Sequence, residues 1–310
     1  MLAGIFPFLA GCDLVLLNPS GDIARQQSDL LVTSTFLMLL VVVPVIAMSL
    51  WFAWHYRESN ERATYSPDWD HSTLVELYVW AAPLLIIIAL GALTWVTTHT
   101  LDPYRPLERI APGRPVVAAQ DEPLRIQAVA LEWKWLFIYP DYGIAVVNEL
   151  AAPVDRPIRF QTTSPELMNA LYIPALAGMV YAMPGMQTLL HAVINEPGDY
   201  YGISGNYSGA GYSDMTFRFH GLSNSGFDEW VARAKLAPAS LDTASYVALT
   251  APSTGNPVQR FSSVEGDLYH RILNLCVEPG KMCLDAMRAH TEALHRVPAT
   301  AGDLRTAPGH

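Results

Sequence analysis

The sequence predicts a two-helix transmembrane hairpin, followed by an all-β domain and a short helical C-terminal extension. Two apolar runs without any charged residue lie near the N-terminus, at residues 30–54 and 77–96. Short β-prone segments interrupted by Pro and Gly come next, which is typical of a sandwich or a barrel. After residue 227 the spacing of apolar residues becomes helical. These three observations define the fold class.

Composition places the chain among membrane proteins with a large globular part. Of its 310 residues, 51% are hydrophobic and 15% are charged, whereas soluble domains carry about 25% charged residues. The net charge is −10, and the chain has only three lysines. Binding of nucleic acid through a basic face is therefore excluded, because neutralising phosphates requires clustered Lys and Arg.

Each apolar run is long enough to cross a bilayer, which takes about 20 apolar residues. We place transmembrane helix 1 at residues 30–56 and transmembrane helix 2 at residues 74–98, with a cytoplasmic loop at 57–73. The alternative is a pair of buried core helices. Aromatic residues near the ends of both runs favour the membrane, because such residues concentrate at its interfaces: Trp51, Trp54, Trp80 and Trp95.

The N-terminus contains Leu-Ala-Gly-Cys at residues 9–12, which resembles a bacterial lipobox. This predicts a leader at 1–11, lipidation of Cys12 and a periplasmic segment at 12–29; a chance match is the alternative. No basic residue precedes Cys12, so we expect the leader to be truncated at its start. Two crossings return the chain to the periplasm, with the protein in a bacterial inner (plasma) membrane as a multi-pass component.

The periplasmic part divides into a β domain at 99–222, an extension at 223–290 and a tail at 291–310 that we expect to be disordered. The extension contains helix-like segments at 228–237 and 268–275. Five segments of the β domain are predicted strands, separated by turn-forming Pro and Gly: 124–131, 135–139, 157–163, 187–195 and 215–219.

Several sequence strings resemble those of a known protein family. They are 18 NPSG, 132 EWKWLFIYPDYG with 148 NEL, 174 PALAGMVYAMPGM, and 227 FDEW leading to 261 FSSVEGDLYHRIL. Together they resemble subunit II of the haem–copper terminal oxidases, in the quinol branch of the cytochrome bo-type ubiquinol oxidases. The resemblance covers roughly residues 12–285. It implies a cupredoxin-like fold for the β domain and an aromatic-rich C-terminal motif.

The cytochrome c oxidases of this family hold a binuclear copper centre, in which two bridging thiolates suit the softness of copper. Their motif is an upstream His, followed by Cys-x-Glu-x-Cys-x-x-x-His-x-x-Met. Laid on this sequence, only the methionine is retained, and we therefore expect no metal and no copper pair. The six aligned positions are Asn169, Ser204, Asn206, Ser208, Tyr212 and Met215.

The resemblance implies a subunit with no redox cofactor and no active site of its own, in a complex that oxidises ubiquinol, reduces oxygen to water and pumps protons. Haems, one copper and ubiquinol are expected in the partner subunit I. Expected partners are subunit I, other oxidase subunits and membrane lipid, without cytochrome c docking. Two alternatives stay open: subunit II of a cytochrome c oxidase, and a stand-alone cupredoxin-like lipoprotein that handles copper.

Five further residues have candidate roles. Glu76 starts the second apolar helix; in this family a glutamate there resembles a proton entry point, although it could simply be interfacial. Trp133 and Trp135 are expected in the core or in subunit contacts. Cys276 and Cys283 flank a Pro-Gly turn and favour a disulfide in an oxidising compartment. Free thiols or a copper-handling patch with neighbouring His and Met are the alternatives for this pair.

Overall fold

A computed structural model describes residues 14–64, 66–117 and 122–295 of the chain. The predicted leader and the predicted lipidation site Cys12 lie outside the described residues. Within these ranges, 3₁₀ turns lie at Val15–Leu17 and Tyr212–Asp214. The α-helices of the described residues are α1 Asp22–His55, α2 Thr73–Thr100, α3 Asn224–Lys235, α4 Thr243–Thr250, α5 Leu268–Leu273 and α6 Leu284–His295.

Helices α1 and α2 are long and apolar enough to cross a membrane. No residue in their most apolar stretches is buried, which argues against the alternative of buried core helices. Helix α1 begins at Asp22 rather than at residue 30, so its first two turns extend beyond the apolar run. Pro44 and Pro83 lie inside the helices. Membrane helices tolerate such prolines because neighbouring groups satisfy the backbone carbonyls that they leave free.

In the part of the chain that the structure describes, the strands form a two-stranded ribbon and two larger sheets. The seven-stranded sheet has the order β10-β7-β3-β4-β5-β14-β13, and the five-stranded sheet has the order β6-β12-β11-β8-β9. The strands are β1 Arg109–Ala111, β2 Arg114–Pro115, β3 Leu124–Leu131, β4 Lys134–Tyr139, β5 Ile144–Val147, β6 Glu149–Pro153, β7 Ile158–Thr163, β8 Asn169–Tyr172, β9 Val180–Ala182, β10 Thr188–Ala192, β11 Gly198–Ser204, β12 Thr216–Leu222, β13 Ala239–Leu241 and β14 Gln259–Val264.

The main core lies between the two larger sheets and is closed at one end by α3. Trp230 and Phe227 of α3 are buried there and pack against Tyr139. The Tyr139 hydroxyl donates to the carbonyl oxygen of Ala151 and accepts from its N–H, at 2.8 and 2.9 Å. The Tyr139 side chain is therefore held both by the packing of its ring and by the hydrogen bonds of its hydroxyl, which fixes the distance between β4 and β6.

The C-terminal extension differs from the prediction, because it contributes strands as well as helices. Strand β14 pairs with β5 and so continues the seven-stranded sheet of the β domain. A second core forms on the outer face of that sheet, where Tyr246 and Ile272 of the extension pack against Leu136. The predicted boundary at residue 222 therefore separates segments that share one sheet. The hydrophobic effect explains this, since the outer face of β3–β5 is apolar and needs cover.

Helix positions in the extension also differ from the prediction. Helix α3 begins at Asn224, because the hydroxyl of Ser223 accepts from the Gly226 N–H and caps the helix before residue 228. Helix α6 reaches His295, so the prediction of disorder is wrong for residues 291–295. The rest of the predicted tail, 296–310, lies outside the described residues.

The start of α1 is fastened to the β domain by the backbone. The N–H groups of Ser20 and Gly21 donate to the Ala175 carbonyl, and the Asn195 N–H donates to the Ser20 carbonyl. A Cβ atom at Gly21 would lie 2.5 Å from the carbonyl oxygen of Val193. The two strings 18 NPSG and 174 PALAG thus meet in space, and glycine is needed at residue 21 for this close approach.

Candidate functional site

The six positions aligned with the copper motif come together at one end of the five-stranded sheet. Asn169 begins β8, Ser204 ends β11, and Met215 directly precedes β12. Asn206 and Ser208 lie in the intervening loop, and Tyr212 starts the 3₁₀ turn that closes it. The topology therefore brings all six residues to the same end of this sheet.

Hydrogen bonds between neutral groups hold this cluster together. The Ser204 hydroxyl donates to Oδ1 of Asn169 at 3.1 Å, and both residues are buried. The side-chain amide of Asn206 donates to the Met168 carbonyl at 2.8 Å. The Ser204 N–H donates to the Met215 carbonyl at 3.1 Å. A serine–asparagine pair thus connects β8 and β11, where a metal would require negative or soft ligands.

The donor set does not fit a copper pair. Met215 is 1% exposed and offers only a thioether, while its neighbours offer hydroxyls and amides. A binuclear copper centre needs thiolate and imidazole ligands. Among the described residues, no group of three or more His, Cys, Asp and Glu side chains could hold a metal ion. The side chains at this site therefore do not form a set of copper ligands.

Trp133 covers the loop of this cluster, whereas Trp135 lies in the core. The indole N–H of Trp133 donates to the Ser208 carbonyl at 3.0 Å. A Cβ atom at Gly211 would lie 2.3 Å from the Trp133 ring, so the ring lies flat against the loop backbone. Trp135 is fully buried and packs edge-on against Phe217. Both tryptophans are used for packing here.

Tyrosines at this end of the sheet have different environments. Tyr207 is 76% exposed and its ring packs edge-on against that of Tyr212. Tyr201 is exposed beneath the guanidinium of Arg218. Leu167 and Met168 beside the cluster are 44% and 43% exposed. The end of the domain that would carry copper in a cytochrome c oxidase therefore presents an aromatic and apolar surface.

Glu76 lies in the first turn of α2 with a partner that sequence reasoning missed. Its Oε1 is 2.7 Å from Nδ1 of His71, and Nε2 of the same ring is 3.3 Å from the Thr73 hydroxyl. Both side chains of the His71–Glu76 pair are more than half exposed. A carboxylate and an imidazole thus share a hydrogen bond at the end of an otherwise uncharged helix.

Cys276 and Cys283 are joined by a disulfide with a Cα–Cα distance of 4.8 Å. The bond closes the loop between α5 and α6. Met282 beside it is exposed, and His270 is bonded to Asp285 at 2.9 Å. The disulfide and the His270–Asp285 bond therefore hold the two ends of this loop together. The sulfur atoms of the two cysteines are bonded to each other and are not available as metal ligands.

An electrostatic cluster that the sequence did not reveal joins the extension to the β domain. Glu149 on β6 is bonded to Arg260 on β14 and lies 3.3 Å from Nε2 of His220. The other ring nitrogen of His220 is bonded to Asp199. The hydrogen bond to Glu149 raises the pKa of His220, burial opposes this, and Asp199 adds to the rise.

The same contacts act on the carboxylate. Burial raises the pKa of Glu149, but His220 and Arg260 together outweigh burial and hold that pKa below its usual value. A charged pair is therefore favoured at neutral to mildly acidic pH. Its partners are far apart in the sequence, which is why neither periodicity nor spacing indicated it.

Comparisons with known proteins agree with the site. Residues 143–221 match the family model described as "Cytochrome C oxidase subunit II, periplasmic domain", and residues 235–280 match "COX Aromatic Rich Motif". "Cytochrome bo(3) ubiquinol oxidase subunit 2" of Pseudomonas aeruginosa is 47% identical over 297 residues, covering 96% of this chain and 87% of that protein.

Two further relatives are similarly close. The Pseudomonas putida protein of the same name is 49% identical, covering 88% of this chain and 85% of that protein. "Ubiquinol oxidase subunit 2" of Acetobacter aceti is 48% identical, covering 86% and 83%. The fold and site define an oxidase subunit II with a cupredoxin-like domain. Within that class, the chain belongs to the ubiquinol oxidase subunit 2 family.

Proposed function

We propose that this chain is the non-catalytic subunit II of a respiratory ubiquinol oxidase, a membrane complex that oxidises ubiquinol, reduces oxygen to water and pumps protons. Family membership supports the overall reaction. The replacement of copper ligands by the Ser204–Asn169 hydrogen bond supports the absence of a redox centre in this chain. Haems, one copper and the ubiquinol site are then assigned to the partner subunit I.

The chain's own contribution is structural. Strand β14, the disulfide loop and the Glu149 cluster stabilise one periplasmic body, and α1 is fastened to that body at Gly21. Such a body holds two membrane helices in a fixed position against other subunits. This supports a function in assembly and stability, in a complex of the bacterial inner membrane with the β domain in the periplasm.

The His71–Glu76 pair supports a second contribution, proton entry from the cytoplasm. An exposed carboxylate bonded to an imidazole at a helix end collects protons from water and presents them at the membrane surface. The bland alternative is that Glu76 pairs with a basic residue of another subunit. Turnover per haem distinguishes proton entry from subunit contact, because only the loss of proton entry slows the assembled complex.

Lipidation of Cys12 stays a prediction about the N-terminus. It is tested by the intact mass of the native chain, in which a modified cysteine adds the mass of its acyl groups. A Cys12→Ser variant should stay in the membrane, because two spanning helices hold far more strongly than acyl chains. An unmodified Cys12 in the mature native protein would contradict the prediction.

The complex itself provides the test of the proposed function. Oxygen uptake by the purified native complex should be driven by ubiquinol and not by reduced cytochrome c. Metal analysis of the same preparation should give the single copper expected for subunit I. Uptake driven by cytochrome c, together with two additional coppers, would instead assign the chain to a cytochrome c oxidase.

A further inference from the structure

Helices α1 and α2 pack against each other along only part of their length. In α1, the partly covered residues that recur at a spacing of three and four end at Val41: Leu30, Ser34, Leu37 and Val41. In α2, the corresponding residues end at Pro83: Thr97, Leu93, Leu90, Ile86 and Pro83. Residues at this spacing lie on one face of a helix. These two sets, here called the paired stripes, mark where the helices touch.

Beyond the paired stripes the same two faces are open. The stripes continue to Met48 in α1 and to Val79 in α2. Met48 is 49% exposed and Val79 is 64% exposed, whereas helices that continued to pack would cover both side chains. The helices therefore separate beyond Val41 and Pro83. The space between Met48 and Val79, here called the cleft, opens toward residues 57–73.

Proline explains where the cleft begins. Pro44 lies fourteen residues from Leu30, and Pro83 lies fourteen residues from Thr97. At 1.5 Å per residue, both prolines are about 21 Å from the ends of the stripes where pairing starts, so they occur at the same depth. A proline inside a helix bends it. Two bends at one depth separate helices that are packed up to that point.

Each proline also leaves one backbone carbonyl without its helical donor. Because proline has no N–H, the carbonyls of Leu40 and Val79, four residues before Pro44 and Pro83, lose their usual partner. Residues four apart lie on the same face of a helix, and both prolines lie on the line of the paired stripes. Both carbonyls therefore face the cleft. Each lies within an apolar run, where an unpaired carbonyl is costly.

The surroundings of the cleft do not supply the missing donors. Lipid acyl chains have no N–H or O–H group, and Met48 and Val79 offer water no strong hydrogen-bond partner. Ser49, which carries the hydroxyl nearest to Pro44 in the sequence of α1, donates to the Val45 carbonyl at 2.8 Å instead. In membranes, hydroxyl side chains and neighbouring helices satisfy such carbonyls. The cleft therefore calls for a helix that carries hydroxyl groups.

We propose that a transmembrane helix of a partner subunit packs into the cleft and donates Ser or Thr hydroxyls to the carbonyls of Leu40 and Val79. The inference rests on the proposed function, in which this chain is one subunit of a membrane complex. Glu76, the next residue of the α2 stripe, lies at the open end of the cleft. The partner helix thus passes beside the proposed proton entry point, and the open half of the hairpin is the part that holds the partner.

The test is photocrosslinking in native membranes. The photoreactive residue p-benzoylphenylalanine replaces Met48 in one variant and Val79 in another. Membranes are irradiated, the full complex is purified, and crosslinked peptides are identified by mass spectrometry. The matched controls carry the same probe at Ile46 and Leu77, which are 54% and 61% exposed. Each control lies two residues before its test position, about 200° round the helix.

Both cleft positions should crosslink to one transmembrane segment of a partner subunit, with a Ser or Thr within about one turn of the crosslinked site. The controls should not reach that segment, and equal labelling from them would overturn the location. Crosslinks to lipid alone would overturn the proposal. Crosslinks between α1 and α2 would also overturn it, because the cleft would then be closed in the complex. A shared segment without Ser or Thr would overturn the hydroxyl donor.

Restoring the missing N–H groups provides a second measurement. Pro44→Ala together with Pro83→Ala gives both carbonyls a helical donor and removes both bends. A smaller fraction of the membrane-resident chain should then co-purify with its partner subunit. Pro67→Ala, at an exposed position between the two helices, is the control and should co-purify like the native chain. Equal co-purification of the double variant and the control would contradict the role of the prolines.

Ubiquinol-driven oxygen uptake is measured on the native complex from the same membranes. Absence of this activity would contradict the proposed function, whereas the crosslinks are read from peptide mass and do not depend on turnover. Failure of the helix proposal is thus distinguishable from failure of the function.

Discussion

The ammonium group of Lys134 on β4 donates a hydrogen bond of 2.8 Å to the carbonyl oxygen of Leu249, near the C-terminal end of α4. A second bond of 2.8 Å reaches the Ala251 carbonyl. Lys134 is only 2% exposed, and burial lowers its pKa. A buried cation thus binds carbonyl oxygens that the end of a helix leaves unpaired, where positive charge is favourable.

Replacing this lysine by methionine should destabilise the protein. Lys134→Met keeps an apolar side chain of similar length but leaves two buried carbonyls without a donor, at a cost of about 1–3 kcal/mol. The measurement is unfolding of the detergent-solubilised chain by urea. Lys235→Met, at an exposed position of α3, is the control and should change little. Equal midpoints for the two variants would contradict the argument.

Gly21→Ala should loosen the attachment of α1 to the β domain. The new Cβ would lie 2.5 Å from the Val193 carbonyl oxygen and 2.7 Å from that of Leu176, and backbone atoms cannot move aside cheaply. We expect lower yield of assembled complex and a lower thermal midpoint. Gly91→Ala is the control, since nothing lies within 4 Å of its Cβ and alanine is the better helix former. A native-like midpoint for Gly21→Ala would refute the close-packing argument.

The copper prediction concerns the cluster at Ser204. The full native chain should bind no copper pair and show no purple thiolate absorption. A chain with Asn169→His, Ser204→Cys, Asn206→Glu, Ser208→Cys and Tyr212→His should bind two coppers and gain that colour, because the fold already brings the six positions together. The matched control carries only the His and Glu changes and should remain colourless. Binding of two coppers by the native chain would contradict the prediction.

Glu76→Gln should slow ubiquinol-driven oxygen reduction several-fold per haem while leaving haem content unchanged. Glu76→Asp keeps a titrating group and should lose less. His71→Gln should give a partial loss, because it removes the partner at 2.7 Å but leaves the carboxylate. Asp70→Asn, an exposed change in the same loop, serves as the control. Normal turnover with reduced complex yield would support subunit contact instead of proton entry.

The Glu149–His220 pair makes stability depend on pH. The raised pKa of His220 means that its contribution is complete below about pH 6.5, the usual His pKa, and is lost as the pH rises through the raised value. The lowered pKa of Glu149 means that its contribution is present above about pH 4.3 and is lost as the pH falls through the lowered value. The pair contributes most between these limits.

His220→Gln should therefore lower the thermal midpoint of the solubilised chain most between about pH 4.3 and 6.5, with a smaller loss in alkaline buffer. His290→Gln on α6 is a control at an exposed histidine and should follow the native profile. A loss for His220→Gln that is the same at every pH would show that charge on the ring does not matter.

The sequence predicted those parts of the fold that have a strong local pattern. Strand β3 is found at Leu124–Leu131 as expected, since apolar residues and turn signals bound it clearly. Strands β5 and β6 were missed because every residue in them is buried, so no alternation marks them. Asn148 between these strands has a positive φ, which breaks the run without any Gly or Pro.

For the copper-motif positions, family spacing was enough to order the six residues along the chain before the structure was known, and their role stays a prediction. Site prediction failed for pairs such as Asp22–Arg109 and Glu149–Arg260, which depend on how distant segments meet. Lys134 is one of only three lysines in an acidic chain, and nothing in the local sequence indicates that it is buried under α4. Such contacts follow from tertiary structure and leave no periodic trace.

The pairing of β14 with β5 has a consequence for how the protein matures. Gln259 lies opposite Val147, so more than a hundred residues must be exported before the open side of β5 is covered. Until then β5 presents unpaired N–H and C=O groups on an apolar strand, a template for wrong pairing. Chains cut short before residue 259 should therefore aggregate during export, and periplasmic chaperones become most important in the interval before β14 arrives.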